Sequence, residues 1–266
     1  MIEQLRVHLK AKAGLIYLSS FEEERVEDAF NTICQQLNHG LYVWDLNKGF
    51  QEILSDKVNS PEPAKAKMPS ECLDEIQKYP GDAVFLLKDF QKFFYPEDQS
   101  LGIQTARALR TLVRDLRSTS NNKSIVILAP TINIPDDLQH DVSLIDFDLP
   151  NYEILHKSIT QFIAKNKFQS RTSLDDKDFE KLIKSMQGLT TIQAERAISK
   201  IYVRHGKLKS HNIEEVLLEK KQIISKTGIL EYIQTKESME DIGGLDSLKN
   251  WLEQREVAFS ESAKNY

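Results

Sequence analysis

Short apolar runs alternate along this chain with stretches in which apolar residues recur every three or four positions. The runs are residues 15–18 (LIYL), 41–45 (LYVWD), 83–87 (AVFLL), 124–129 (SIVILA) and 144–149 (LIDFDL). Runs this short, rich in Ile, Val, Phe and Tyr, predict buried strands. Val26, Ala29, Phe30, Ile33, Cys34 and Leu37 predict one amphipathic helix between them, and Leu109, Leu112, Val113 and Leu116 a second. Strands alternating with helices imply a parallel sheet covered on both faces. The expectation is a doubly wound, five-stranded α/β domain over residues 1–150. Residues 55–71, with three prolines and no apolar period, read as a loop.

After Pro150 the pattern turns helical throughout. Leu155, Ile159, Phe162 and Ile163 form one stripe, Phe179, Leu182, Ile183 and Met186 another, and Ile192, Ala197, Ile198 and Ile201 a third. Thr190 and Gln193 have the spacing of a capping box, and Gly188 closes the preceding helix. A small helical domain is expected over 151–206. A helical linker follows within 207–266.

Composition narrows the class. With 266 residues, 40% of them hydrophobic, the chain can bury a real core. A formal net charge of -5 gives no whole-chain basic field to draw in nucleic acid. Cys34 and Cys72 stand apart and outside any CxxC pair, which suits a reducing compartment and neither a disulfide scaffold nor a zinc site. Ile2, Leu5 and Leu9 fall at helical spacing among charges, unlike a signal peptide. No apolar run is long enough to span a membrane.

The junction after LIYL has the strand-turn-helix shape that holds phosphates in many ATPases, but reads Ser19, Ser20, Phe21, Glu22, Glu23, Glu24. GxxxxGK[ST] needs glycines to free backbone N–H groups, a lysine for the phosphates and a hydroxyl for magnesium. No segment has that spacing. Ser20 and Glu23 read as a capping box, and the three carboxylates face the positive end of a helix dipole. At the end of AVFLL, Lys88, Asp89 and Phe90 supply half of a Walker B pair. In one alignment Phe90 replaces the Glu; in the other Lys88 replaces the Asp. Arg107, Arg110, Arg114 and Arg117 form a single stripe, either a solvated face or a contact for an acidic neighbour or phosphate backbone. The six histidines form no HExxH and no cluster with cysteine, so no metal site is expected.

The order of parts resembles the AAA ATPase module. SIVILAP with TINIPDDLQHDVSLIDFDLPNYEIL resembles the sensor strand, the last strand and the proline opening the lid; LDDKDFEKLIKSMQGLTTIQAERAI resembles the lid helices. The Walker A position is the acidic SSFEEE loop, and DDLQHDVSL lacks the arginines that act in trans. SMEDIGGLDSLKNWLEQ resembles the lead-in to a second AAA module, on which Ile242, Gly243 and Gly244 would line part of an adenine pocket. Together with LIYLSSFEEERV, LYVWDLNKGF, VFLLKDF and KKQIISKTGILEY, the chain resembles the uncharacterised AAA-domain proteins of algal chloroplast genomes and cyanobacteria.

That resemblance implies a degenerate, nucleotide-incompetent N-terminal module (1–150), its lid (151–206), and a linker into a truncated second module (207–266). ATP and Mg2+ would bind in a C-terminal module, and the chain alone would not be active. Partners would be further copies in a hexameric ring and an unknown protein substrate, with no nucleic acid favoured. The location would be the chloroplast stroma in an alga, the cytoplasm in a cyanobacterium. The alternative is a stand-alone P-loop-less binding module, similar to clamp-loader subunits, gripping a protein or DNA.

Overall fold

Alternation along each apolar run sends its residues into two separate cores, one on each face of a sheet. The computed structural model describes residues 2–54, 66–95, 99–225 and 243–256. The chain divides into two compact units, Met1–Ser210 and His211–Tyr266. The first unit begins with α1 (Ile2–Lys10), β1 (Leu15–Ser19), α2 (Glu23–Leu37), β2 (Gly40–Asp45) and β3 (Gly49–Leu54). Next come α3 (Pro69–Lys78), β4 (Ala83–Lys88), α4 (Gln99–Ser118), β5 (Lys123–Ala129) and β6 (Ser143–Asp146). The sheet order is β3-β2-β4-β5-β1-β6, parallel apart from the β2–β3 hairpin. Ile16, Leu18, Val126 and Leu128 pack with Leu5, Leu9, Val26 and Phe30 beneath α1 and α2. Tyr17, Phe85, Leu87 and Ile127 pack with Cys72, Ile76, Leu109 and Val113 beneath α3 and α4. Burying each such side chain contributes about 1.5–3 kcal/mol before chain entropy is charged.

The doubly wound fold is as expected, but the sheet has six strands, not five. β3 escaped because it lies at the edge with Gln51, Glu52 and Ile53 exposed, so its sequence carries no apolar run. The turn before it is legible afterwards: Asp45 Oδ1 accepts from the backbone N–H groups of Asn47 (2.8 Å) and Lys48 (2.9 Å). The expected loop over 55–71 also ends early. Pro69, Ser70 and Glu71 form the first turn of α3, where proline's missing N–H costs nothing. Residues 55–65 lie outside the described residues.

After Pro150, α5 (Tyr152–Lys165), α6 (Asp176–Met186) and α7 (Thr191–His205) match the three stripes. The region is not purely helical. β7 (Thr172–Ser173) pairs in parallel with β8 (Leu208–Lys209), a bridge too short for any periodicity to signal. The Thr190 box forms, its Oγ1 accepting from Gln193 N (3.2 Å) while Gln193 Oε1 accepts from Thr190 N (2.9 Å). The second unit contains α8 (Ile213–Ser225) and α9 (Asp246–Glu256). No helix among the described residues is long and apolar enough to cross a membrane.

Candidate functional site

Ligands of open α/β sheets sit beyond the carboxyl ends of the strands. Here β1 ends level with both neighbours, Ser19 opposite Ala129 of β5 and Asp146 of β6. The turn that follows does not form the expected Ser20–Glu23 box. Ser20 N already donates to Ala129 O (3.0 Å), so a Glu23 carboxylate has no free donor to return to, and the Ser20 hydroxyl instead accepts from Glu22 N (3.0 Å). The helix then starts at Glu23 with no side-chain cap.

Each of the first two glutamates is engaged elsewhere. Glu22 is 2% exposed and reaches across to the start of α7. Its Oε1 accepts from the backbone N–H of Thr191 and from Thr191 Oγ1 (3.0 Å), placing a carboxylate at the N-terminus of α7, where unpaired N–H groups and the helix dipole favour negative charge. Its Oε2 lies 2.7 Å from Arg25 NH1. Arg25 stacks over the Phe147 ring at 4.5 Å and donates to Asp148 O, just past β6. Burial lowers the Arg25 guanidinium below its ordinary pKa, with Glu22 and Asp148 opposing. One carboxylate thus ties the turn, α2, the segment after β6 and the start of α7 together. Nothing local in the sequence signals this pair, which is separated by 169 positions.

Glu23 meets a lysine after all. Lys88, at the end of β4, pairs with Glu23 (2.8 Å) and Glu27 (2.5 Å). Burial opposes its charge, but the two carboxylates outweigh it and hold the ammonium above the usual lysine pKa. Of the two Walker B alignments, neither leaves a free carboxylate: Lys88 is neutralised, and Asp89, left-handed at φ 57, pairs with Lys92 (3.1 Å). No cluster of three potential metal ligands occurs among the described residues. Cys34 and Cys72 are free and buried, and burial pushes the Cys34 thiol up to about 12.

The arginine stripe has an internal acidic neighbour. Arg110 Nε (3.3 Å), Arg114 NH2 (3.4 Å) and Arg117 NH2 (3.3 Å) converge on Asp141, whose side chain is 7% exposed. Removing that shared anion by Asp141→Ala is expected to cost about 1–3 kcal/mol in urea unfolding, below the value for a fully buried pair because Arg114 and Arg117 are half-exposed. Arg107 remains exposed. Of the expected adenine-lining residues, Ile242 lies outside the described residues. Gly243 and Gly244 have no atom within 4 Å of where a Cβ would stand, and Gly244 has φ +73.

Comparison with known proteins agrees with this architecture. Residues 1–147 match the SpoVK-like AAA ATPase, N-terminal domain, and residues 153–227 the SpoVK-like AAA ATPase, second domain. The chain is 34% identical over 99% of its length to the uncharacterized AAA domain-containing protein ycf46 of Trieres chinensis, covering 50% of that protein. It is 31% identical over its full length to the protein of the same name from Guillardia theta, again covering 50%. The chain therefore spans about half the length of the curated relatives it matches. Among solved structures it superposes on a chain of the E. coli MS115-1 HORMA:CdnC:Trip13 complex with TM-score 0.53 at 11% identity, covering 82% of this chain and 86% of that one. On C. elegans PCH-2 the TM-score is 0.51 at 10% identity, with 84% and 68% covered. On the strength of the matched domains, which cover most of its length, the chain belongs to the SpoVK-like AAA ATPase family.

Proposed function

We propose that this chain is the nucleotide-incompetent N-terminal module of an AAA-type ATPase, acting as a ring scaffold or a substrate- or partner-engaging platform. The observation that carries the reading is the Lys88–Glu23–Glu27 cluster, with Glu22 locked beside it. Protein carboxylates occupy the helix start where the family's phosphates would lie, and the lysine that β4 brings there is already neutralised. A triphosphate would have to displace these pairs or sit against like charge. Each unit-charge contact at 4 Å costs about 4 kcal/mol at an effective dielectric of 20.

On this reading ATP and Mg2+ belong to a C-terminal module in the other half of the family's length, where hydrolysis takes place and into which Ile242, Gly243 and Gly244 would lead as adenine-lining residues. Residues 1–150, 151–206 and 207–266 serve as degenerate sheet domain, lid and linker. The unit boundary at Ser210 supports a linker that begins close to 207. Assembly would be a homo-oligomeric ring of six. The relatives are from algal plastids, which supports the chloroplast stroma as its location. The clamp-loader-like alternative loses its main support, because three of the four stripe arginines are engaged by Asp141.

Isothermal titration of Mg·ATP into this chain is expected to show no binding. Saturable heat at micromolar ATP, abolished by Lys88→Ala, would overturn the reading.

A further inference from the structure

Exposed apolar side chains follow shortly after the carboxyl ends of three neighbouring strands. β1 lies between β5 and β6, whose last residues are level with Ser19, and adjacent strands run about 4.8 Å apart. Just beyond those ends stand Phe21, Ile132 and Leu149, exposed by 72%, 51% and 49%. Scattered exposed apolar residues are ordinary, whereas several on one edge mark an interaction surface.

The backbone carrying them is held in place. Tyr17 Oη donates to Thr131 O (2.7 Å) and accepts from Asn133 N (3.3 Å), on either side of Ile132. Phe147 N donates to Ser19 O (3.1 Å), and Arg25 donates to Asp148 O, beside Leu149. Phe21 sits between Ser20 and the locked Glu22.

The surroundings are acidic. Glu24, Asp136 and Asp146 are exposed and form no ion pair among the described residues, and Asp148 adds a further exposed carboxylate. Of the bases near this edge, Arg25 and Lys88 are occupied by Glu22, Glu23 and Glu27, while Lys157 and Lys165 line the cavity that Glu24 and Phe147 also line. Nucleic acid and anionic lipid would be repelled.

We propose that the β5-β1-β6 edge docks a cationic amphipathic segment of a partner protein, with lysines or arginines flanking a few large apolar residues. The apolar side chains would cover Phe21, Ile132 and Leu149, and the cations would meet the exposed carboxylates. The proposal rests on the platform reading above, since it uses the edge that a bound nucleotide would occupy.

The probe is a labelled helical peptide of leucines and lysines, titrated into the full chain and followed by fluorescence anisotropy. Saturable binding is expected that weakens with added salt. Phe21→Ser combined with Ile132→Ser should weaken it about tenfold or more, and Asp146→Lys should weaken it independently. Val203→Ser, at an 88% exposed site on α7, should leave it unchanged. The substituted side chains are exposed, so thermal melting should stay near wild type. Equal binding by all variants, or no binding by the wild type, would overturn the proposal. Self-association of the chain abolished by Phe21→Ser would overturn it in favour of a second copy as occupant. Mg·ATP added to the same samples separates the two readings: ATP that binds without displacing peptide defeats only the nucleotide-incompetent reading.

Discussion

Replacing Glu22 with alanine is expected to destabilise the Met1–Ser210 unit by about 3–5 kcal/mol, the range for breaking a buried ion pair by removing one partner. The loss has two parts. Arg25, 14% exposed, would keep its charge without the carboxylate 2.7 Å away. Thr191 would lose the acceptor of both its N–H and its hydroxyl at the first turn of α7. Glu22→Gln separates them, because the amide oxygen can still accept from Thr191 while the charge opposite Arg25 disappears, so an intermediate loss is expected. Urea unfolding gives the total. Hydrogen exchange at the Thr191 amide gives the local part and should accelerate in Glu22→Ala before global unfolding contributes. A loss under about 1 kcal/mol with unchanged exchange would mean that the lid is held by its apolar contacts alone.

Glu22 also marks the limit of what the sequence discloses. β1, β2, β4 and β5 were legible because each is buried on both faces and reads as a continuous apolar run, and β2, β4 and β5 appear within a residue of their expected bounds; the run at 144–149 was only half right, since β6 stops at Asp146 with Leu144 exposed. The lid helices were legible from periodicity, and the Thr190 cap from a motif four residues long. β3 was not, because an edge strand with a polar outer face mixes its pattern with that of a loop. The acidic turn was half legible. Its lack of the GxxxxGK[ST] spacing was readable along the chain, yet the roles given to Ser20 and Glu23 were wrong because local rules assume that a helix start satisfies itself. Here β5 takes the Ser20 N–H, β4 sends Lys88, and the lid supplies Thr191. Such partners come from the fold's topology, and no window along the chain contains them.

Trp44→Ala should produce the other large loss, about 3–5 kcal/mol, as expected for truncating a buried aromatic. Trp44 is 0% exposed at the end of β2, and its rings meet those of Phe90 at 5.6 Å and Phe93 at 6.0 Å, edge to face. Its Nε1 donates to Ala66 O (2.7 Å), which fixes the backbone just ahead of α3. Phe90 follows Lys88 and Asp89 directly, so the cavity left by the indole opens beneath the segment that carries the lysine to Glu23 and Glu27. The melting temperature should fall by roughly 6–20 °C, taking about 2–4 °C per kcal/mol for a domain of this size. Trp44→Phe keeps most of the ring contacts but strips Ala66 O of its donor, so a smaller loss of about 1–3 kcal/mol is expected. The second tryptophan, Trp251, is 48% exposed, so blue-shifted emission reports Trp44 and should vanish in both variants. If Trp44→Ala also lets Mg·ATP bind where the wild type does not, the aromatic cluster is what holds Lys88 in its ion pairs. If it melts early and stays silent to ATP, Glu23 and Glu27 hold the lysine without that support, and the closure of the phosphate position is electrostatic.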